Sequence, residues 1–287
     1  MPAALTHYLQ VERVINGLKK LHPNFEYNKN AILWGAQGPD FILSHQSLPG
    51  QTGKSIKKLG TYLQDEDINN LKGIILKAAA GKIATGIERS YLIGFFCHSI
   101  LDRYALPFIS FSAESFRRLN ENRPLNVCRN IIKSTLDVIV LRYEKNQLPT
   151  EFRLRDLLPR DANVEAFMQN FFCKLLNENY DATVTPEQIS EAMCDFRKFF
   201  GLMTDRTGIK KGLMQKIEKW RGREEYVSSY IRDLTEDDSY DYANIAHSEW
   251  SWPLDSEQTN TESFFDIYEQ SIVDSIALVD QLILGDI

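Results

Sequence analysis

The chain has 287 residues, 43% hydrophobic and 25% charged, with a formal net charge of −6. That is enough apolar material for one sizeable core and too little compositional bias for a disordered chain, and the acidic balance argues against a surface built to grip nucleic-acid phosphates, which needs a basic face. Cys97, Cys128, Cys173 and Cys194 lie far apart with no CxxC or zinc-finger spacing, and no cationic-then-apolar leader opens the sequence, so the cysteines read as reduced core residues and the cytoplasm as the compartment.

In chain order, Thr6 is placed to cap a first helix in which Val11, Val14, Ile15 and Leu18 recur at helical spacing, ending near Lys19 and Lys20. An apolar stretch over 31–34 leads into Gly35-Ala-Gln-Gly-Pro-Asp40, where glycine and proline impose a bend that aims Asp40 from a rigid corner; Phe41 opens the next apolar segment. A loop over 44–53 precedes a helix over 54–63. Helical patterns follow over 66–81, 86–106, 110–119, 125–144, 163–177, 186–203, 208–221 and 261–284. Sustained strand alternation and internal repeats are absent, and the best break, over 146–162, is too short and too apolar for a flexible linker. The pattern predicts one all-α, multi-helical domain over 1–287.

Residues 90–106 are apolar nearly all the way round, the mark of a helix at the centre of a domain. The most apolar run, 91–109, is interrupted by His98, Asp102 and Arg103, so no membrane-spanning helix is expected. His98 and Asp102 are four apart and project from one face. A buried carboxylate must be paired. Two pairings are open: Asp102 bonds His98 or Arg103 as a satisfied polar spot in the core, or His98 and Asp102 share a metal ion, since imidazole nitrogen and carboxylate oxygen both suit zinc.

At these residues the chain resembles the bacterial zinc-dependent phospholipase C family, in its short, signal-less branch. The resemblance runs from Met1-Pro2 through Thr6-His7-Tyr8, Gly35-Ala-Gln-Gly-Pro-Asp40 and Gly94-Phe-Phe-Cys-His-Ser-Ile-Leu-Asp102 to Tyr242-Ala-Asn-Ile-Ala-His247, Trp250, Pro253 and Glu262-Ser-Phe264, while 145–235 match little and read as a divergent helical region. It implies the all-helical phospholipase C/P1 nuclease fold and a cluster of up to three zinc ions that bind a phosphodiester or phospholipid headgroup. It also implies that His7, Asp40, His98 and Asp102 are metal ligands, with Asp40 and Asp102 as the catalytic carboxylates; a reduced site would recruit a further group such as His247.

Four expected ligand positions are substituted. Gln64 stands where the family has a histidine, Leu106 precedes Pro107 in place of a histidine, and Arg129 and Lys133 replace a His and Glu four apart ahead of Asp137. A full three-zinc cluster is not expected. One account keeps one or two zinc ions and hydrolysis; the other is a metal-free scaffold in which Arg129 and Lys133 pair Asp102 and Asp40. A plainer alternative makes Arg129, Lys133 and Asp137 a solvated stripe, with Lys133 and Asp137 an exposed pair.

Residues 208–223 put Ile209, Leu213, Ile217 and Trp220 on one face among lysines and arginines, suited to an anionic membrane surface or to packing on the domain. The acidic run 236–238 with Asp241 lacks calcium-loop spacing and reads as a solvated loop. The resemblance implies that His247, Glu249, Trp250 and Trp252 cap the mouth of the site. No Gly-rich phosphate loop or Gly-x-Ser-x-Gly elbow is present, which disfavours nucleotide-dependent and serine-type chemistry.

Overall fold

A computed structural model describes residues 4–47, 51–79, 86–121, 123–222, 225–235, 237–253 and 255–281. The expectations attached to Met1, Pro2, Arg223 and Glu236 fall outside the described residues.

The chain is mostly helical. Helix α1 (Ala4–Leu21) buries Leu5, Leu9, Val14 and Leu18. The short α2 (Lys29–Gly35), whose cap Asn28 accepts from the Ala31 N–H, and α3 (Asp40–Leu43) flank the Gly-Pro bend. Then come α4 (Lys57–Asp65), α5 (Ile68–Ala78), α6 (Gly86–Leu119), α7 (Leu125–Lys145), α8 (Ala162–Asn179), α9 (Pro186–Met203), α10 (Ile209–Trp220) and, after a strand pair, α11 (Phe264–Val279). The described part of 145–235 is helical, as expected for the divergent region.

Two departures from the sequence pattern have clear causes. Pro107 does not divide 86–119: it removes a backbone donor inside a single helix of 34 residues. Ala105, Phe108, Ile109 and Ala113 are buried on both sides of it, so packing holds the two halves in line. The second departure is an antiparallel hairpin of β1 (Trp250–Trp252) and β2 (Asp255–Asn260), too short and too polar for alternation to reveal.

Helix α6 is the axis of the molecule, with α1, α2, α7 and α11 packed against it and α8 and α9 paired beyond. Of the described helices it alone is long and apolar enough to cross a membrane, yet 67% of that window is buried within the protein. One contiguous apolar cluster runs from Ala4 to Val279. The approach of α2 to α6 is backbone against backbone: a Cβ on Gly35 would lie 2.1 Å from Tyr91 O, and one on Gly94 would lie 2.6 Å from Ile32 O. Only glycine permits that spacing, and it fixes the Gly-Pro bend beside the face of α6 that carries His98.

Cys97 and Cys128 are buried and free, Cys173 is half-buried, and Cys194 is exposed on α9 rather than in the core.

Candidate metal centre

Helix α1 carries His7 and α6 carries His98 and Asp102. Their donor atoms all lie within 4.8 Å of one another. His7 Nε2 is 3.1 Å from Asp102 Oδ1, and His98 Nε2 is 3.3 Å from Asp102 Oδ2. The two rings stack with centroids 4.0 Å apart. His98 Nε2 is buried without an aligned hydrogen bond despite that proximity. Asp40, the first residue of α3, stands just outside this mutual reach, its Oδ1 4.0 Å from His98 Nε2 and accepting from Gln64 Nε2 at 2.6 Å.

The supporting residues explain the arrangement. His98 Nδ1 lies 3.1 Å from Ala36 O and donates to it, which leaves Nε2 as the nitrogen that faces the cluster and that a metal ion would take once its proton is gone. Gly38 has φ +52°, and a Cβ there would sit 2.2 Å from His98 Cδ2, so the bend makes room for the ring. Gln37 Nε2 donates to Ala4 O, tying the bend to the start of α1. The motif Gly35-Ala-Gln-Gly-Pro-Asp40 thus serves the site through a close contact, a carbonyl, an amide, a cradle and a carboxylate.

Thr6 does not cap α1: the helix already includes Ala4, and Thr6 is buried within it. The capping is done from a distance by Asp137 on α7, whose carboxylate accepts from Leu5 N at 3.3 Å, Thr6 N at 2.9 Å and Thr6 Oγ1 at 2.7 Å. Arg232 completes this buried group by donating Nε and Nη2 to Asp137 Oδ2. Asp137 is therefore not part of a solvated stripe, and its partner is Arg232 rather than Lys133. Sequence reasoning missed Arg232, which lies in the divergent region.

Burial and the neighbouring His98 hold the His7 pKa below its ordinary value. Burial also opposes charge on His98, but the carboxylates of Asp102 and Asp40 and the Ala36 carbonyl outweigh it, and its pKa is raised. Burial pushes Asp102 up, but the two imidazoles overcome it and hold its carboxyl well below the usual range. The arrangement thus favours a proton on His98 over one on His7 and favours the ionised form of Asp102.

A pocket of about 550 Å³ opens onto the cluster, lined among others by His98, Asp102, Gln64, Leu106, Arg129 and Trp252. Three of the substituted positions, Gln64, Leu106 and Arg129, therefore face it. Lys133 is buried on α7. Among the described residues neither Arg129 nor Lys133 forms an ion pair with Asp40 or Asp102, so the charge substitution expected of a scaffold is not made; the carboxylates have His7, His98 and Gln64 instead.

His247 is exposed, with φ +51° and its Nδ1 3.0 Å from Thr261 O. It does not join the donors that converge. Of the four residues expected at the mouth, Trp252 lines the pocket, beside Pro253; His247, Glu249 and Trp250 are not in its lining, and Trp250 is buried against Phe108.

The donor set fits zinc: two imidazole nitrogens and a carboxylate are the three protein ligands typical of a catalytic ion, which keeps a further position for solvent or substrate. The Ala36 carbonyl, which accepts from the far ring nitrogen of His98, orients that imidazole as a ligand. Compared with protein-family models, curated proteins and solved structures, the chain matches none.

Proposed function

We propose that this chain is a metal-dependent phosphodiester hydrolase with a reduced site, one zinc ion being held by His7, His98 and Asp102. The observation that carries this reading is the convergence of three zinc-type donors from two helices, two of them, His98 and Asp102, lining a pocket and one being a buried His98 Nε2 without an aligned hydrogen bond. When bound, zinc supplies a Lewis acid that lowers the pKa of water towards ~7 and neutralises charge on phosphate oxygens.

The chain's own residues supply the rest. Asp137 and Gln37 fix the first turn of α1 and so the position of His7. Gly38 and the Ala36 carbonyl fix the ring of His98. Gln64 holds the carboxylate of Asp40 beside His98, where it is the group placed to take up a proton during hydrolysis. Leu106, Pro107 and Trp252 give the pocket an apolar wall for the organic part of a small phosphodiester or phospholipid headgroup.

A specific observation favours a second reading, a metal-free scaffold: Asp102 already bridges His7 and His98 at 3.1 and 3.3 Å, so the cluster is electrically satisfied by one shared proton. Metal content and turnover of bis(4-nitrophenyl) phosphate, measured on protein purified without added zinc or chelator, separate the two. The hydrolase reading expects stoichiometric metal and turnover, both lost in Asp102→Ala. Metal-free, inactive protein that stays inactive on zinc addition establishes the scaffold.

Membrane contact through α10 belongs to the same proposal. Ile209, Leu213 and Trp220 are 72%, 57% and 84% exposed. With Lys216 they fall within about 60° of the helix circumference, at 3.6 residues per turn. An apolar stripe bearing a lysine suits the surface of an anionic bilayer, where Trp and Lys are both favoured.

A further inference from the structure

Arg129 projects from α7 into the wall of the pocket that holds His98 and Asp102. Its Nε is buried with no hydrogen-bond partner, and among the described residues its guanidinium makes no ion pair. The other cation of the pocket, Arg103, also has a buried Nε without a hydrogen-bond partner, but the rest of its guanidinium is anchored: Nη2 donates to Glu66 O and Nη1 lies 3.9 Å from Asp67. Of the pocket's carboxylates, Asp65, Glu66 and Asp102, none forms an ion pair with Arg129: Asp102 is held by two imidazoles and Glu66 accepts from the Tyr180 hydroxyl. A guanidinium donor withdrawn from water and left unmade is costly, and such a group calls for a partner that arrives.

We infer that Arg129 is an anion subsite that receives the phosphate oxygens of a small phosphate-bearing ligand, whose organic part lies against Leu106, Pro107 and Trp252. A planar guanidinium takes two oxygens of one phosphate at once, which a lysine does not match. Calling this ligand the substrate rests on the hydrolase reading above, but the subsite itself works without metal, and that separates the two tests.

The experiment is calorimetric titration of the full chain, stripped with chelator, with inorganic phosphate, dimethyl phosphate, glycerol 3-phosphate and short-chain phosphatidylglycerol below its micelle concentration. Phosphate ligands are expected to bind wild type, to bind Arg129→Gln at least ~10-fold more weakly, and to bind Arg129→Lys in between. Preference for phosphatidylglycerol over glycerol 3-phosphate would mark a lipid headgroup as the source, and equal affinity a soluble one; both keep the subsite. Melting curves report folding of each variant, and Arg129→Lys keeps the test open if Arg129→Gln does not fold. Equal affinity of wild type and a folded Arg129 variant, or no binding to wild type at millimolar phosphate, overturns the inference whatever the zinc content of the native protein.

Discussion

At the scale of single residues, Gly38 is the sharpest case of chemistry written into the backbone. Its φ of +52° disfavours any side chain, and the space a Cβ would take is filled by the imidazole of His98. Gly38→Ala is expected to cost about 1–3 kcal/mol through backbone strain and to displace the ring, lowering zinc stoichiometry further than the melting temperature alone explains. Calorimetry and metal analysis on one preparation check this; a variant that melts lower yet binds zinc like wild type removes Gly38 from the site. The Gly-Pro bend was legible in the sequence, and so were His7, His98 and Asp102 as residues that meet. What Gly38 accommodates was not, because a cradle depends on which ring arrives from α6, and spacing within residues 35–40 holds no trace of that.

The two stacked imidazoles make a pH prediction at the same scale. The His98 pKa is raised and that of His7 lowered, each from an ordinary value of 6.5. In metal-free protein near that pH, His98 should therefore be protonated and His7 neutral, and long-range nitrogen–proton spectra of the rings report the order directly. The sign for stability follows. The His98 contribution is present below its unfolded pKa and is lost as pH rises through the folded one, whereas His7 opposes folding once pH falls below its unfolded value. Zinc must displace the His98 proton, so its affinity should fall on acidification. A His7 that titrates above His98 would contradict this account.

At the scale of elements, the first turn of α1 is held by a side chain from α7, and this governs how firmly His7 is placed. Asp137 is fully buried, accepts from two backbone N–H groups of α1 and bonds Arg232. Removing one partner of a buried pair typically costs about 3–5 kcal/mol, because the other charge is left uncompensated. Asp137→Asn is expected to show a loss of that size, with Arg232→Met similar and the double variant well short of the sum. Lys133→Met, which breaks no ion pair among the described residues, should cost far less. Chemical denaturation of the four proteins checks this, and additive losses would mean that Asp137 and Arg232 act separately. Helix limits followed apolar periodicity closely, since burial of one face decides both. The capping of α1 did not, because Thr6 is a good local cap by residue type while Asp137 acts across 131 positions.

At the scale of the whole molecule, most of the fold was legible because one long apolar helix must be surrounded, and the amphipathic segments before and after α6 are what surround it. Helix α10 is the exception. Its apolar residues were read as one face, yet Ile209, Leu213 and Trp220 point outward and Ile217 turns towards a separate groove with Met214. A Trp that is 84% exposed beside Lys216 and Lys219 gains little from the fold itself. An interfacial role gives that residue a free-energy reason: the indole partitions to the headgroup level, and each lysine near an anionic leaflet adds about 1 kcal/mol. Wild-type protein should sediment with phosphatidylglycerol vesicles and much less with phosphatidylcholine, and binding should weaken as salt rises. Trp220→Ala should reduce the bound fraction without lowering the melting temperature, because the side chain buries almost nothing in the protein. Lys216→Glu should act through charge and abolish the salt dependence together with the binding. Equal sedimentation of wild type and Trp220→Ala would assign α10 to solvent and leave any lipid ligand to reach the pocket as a monomer.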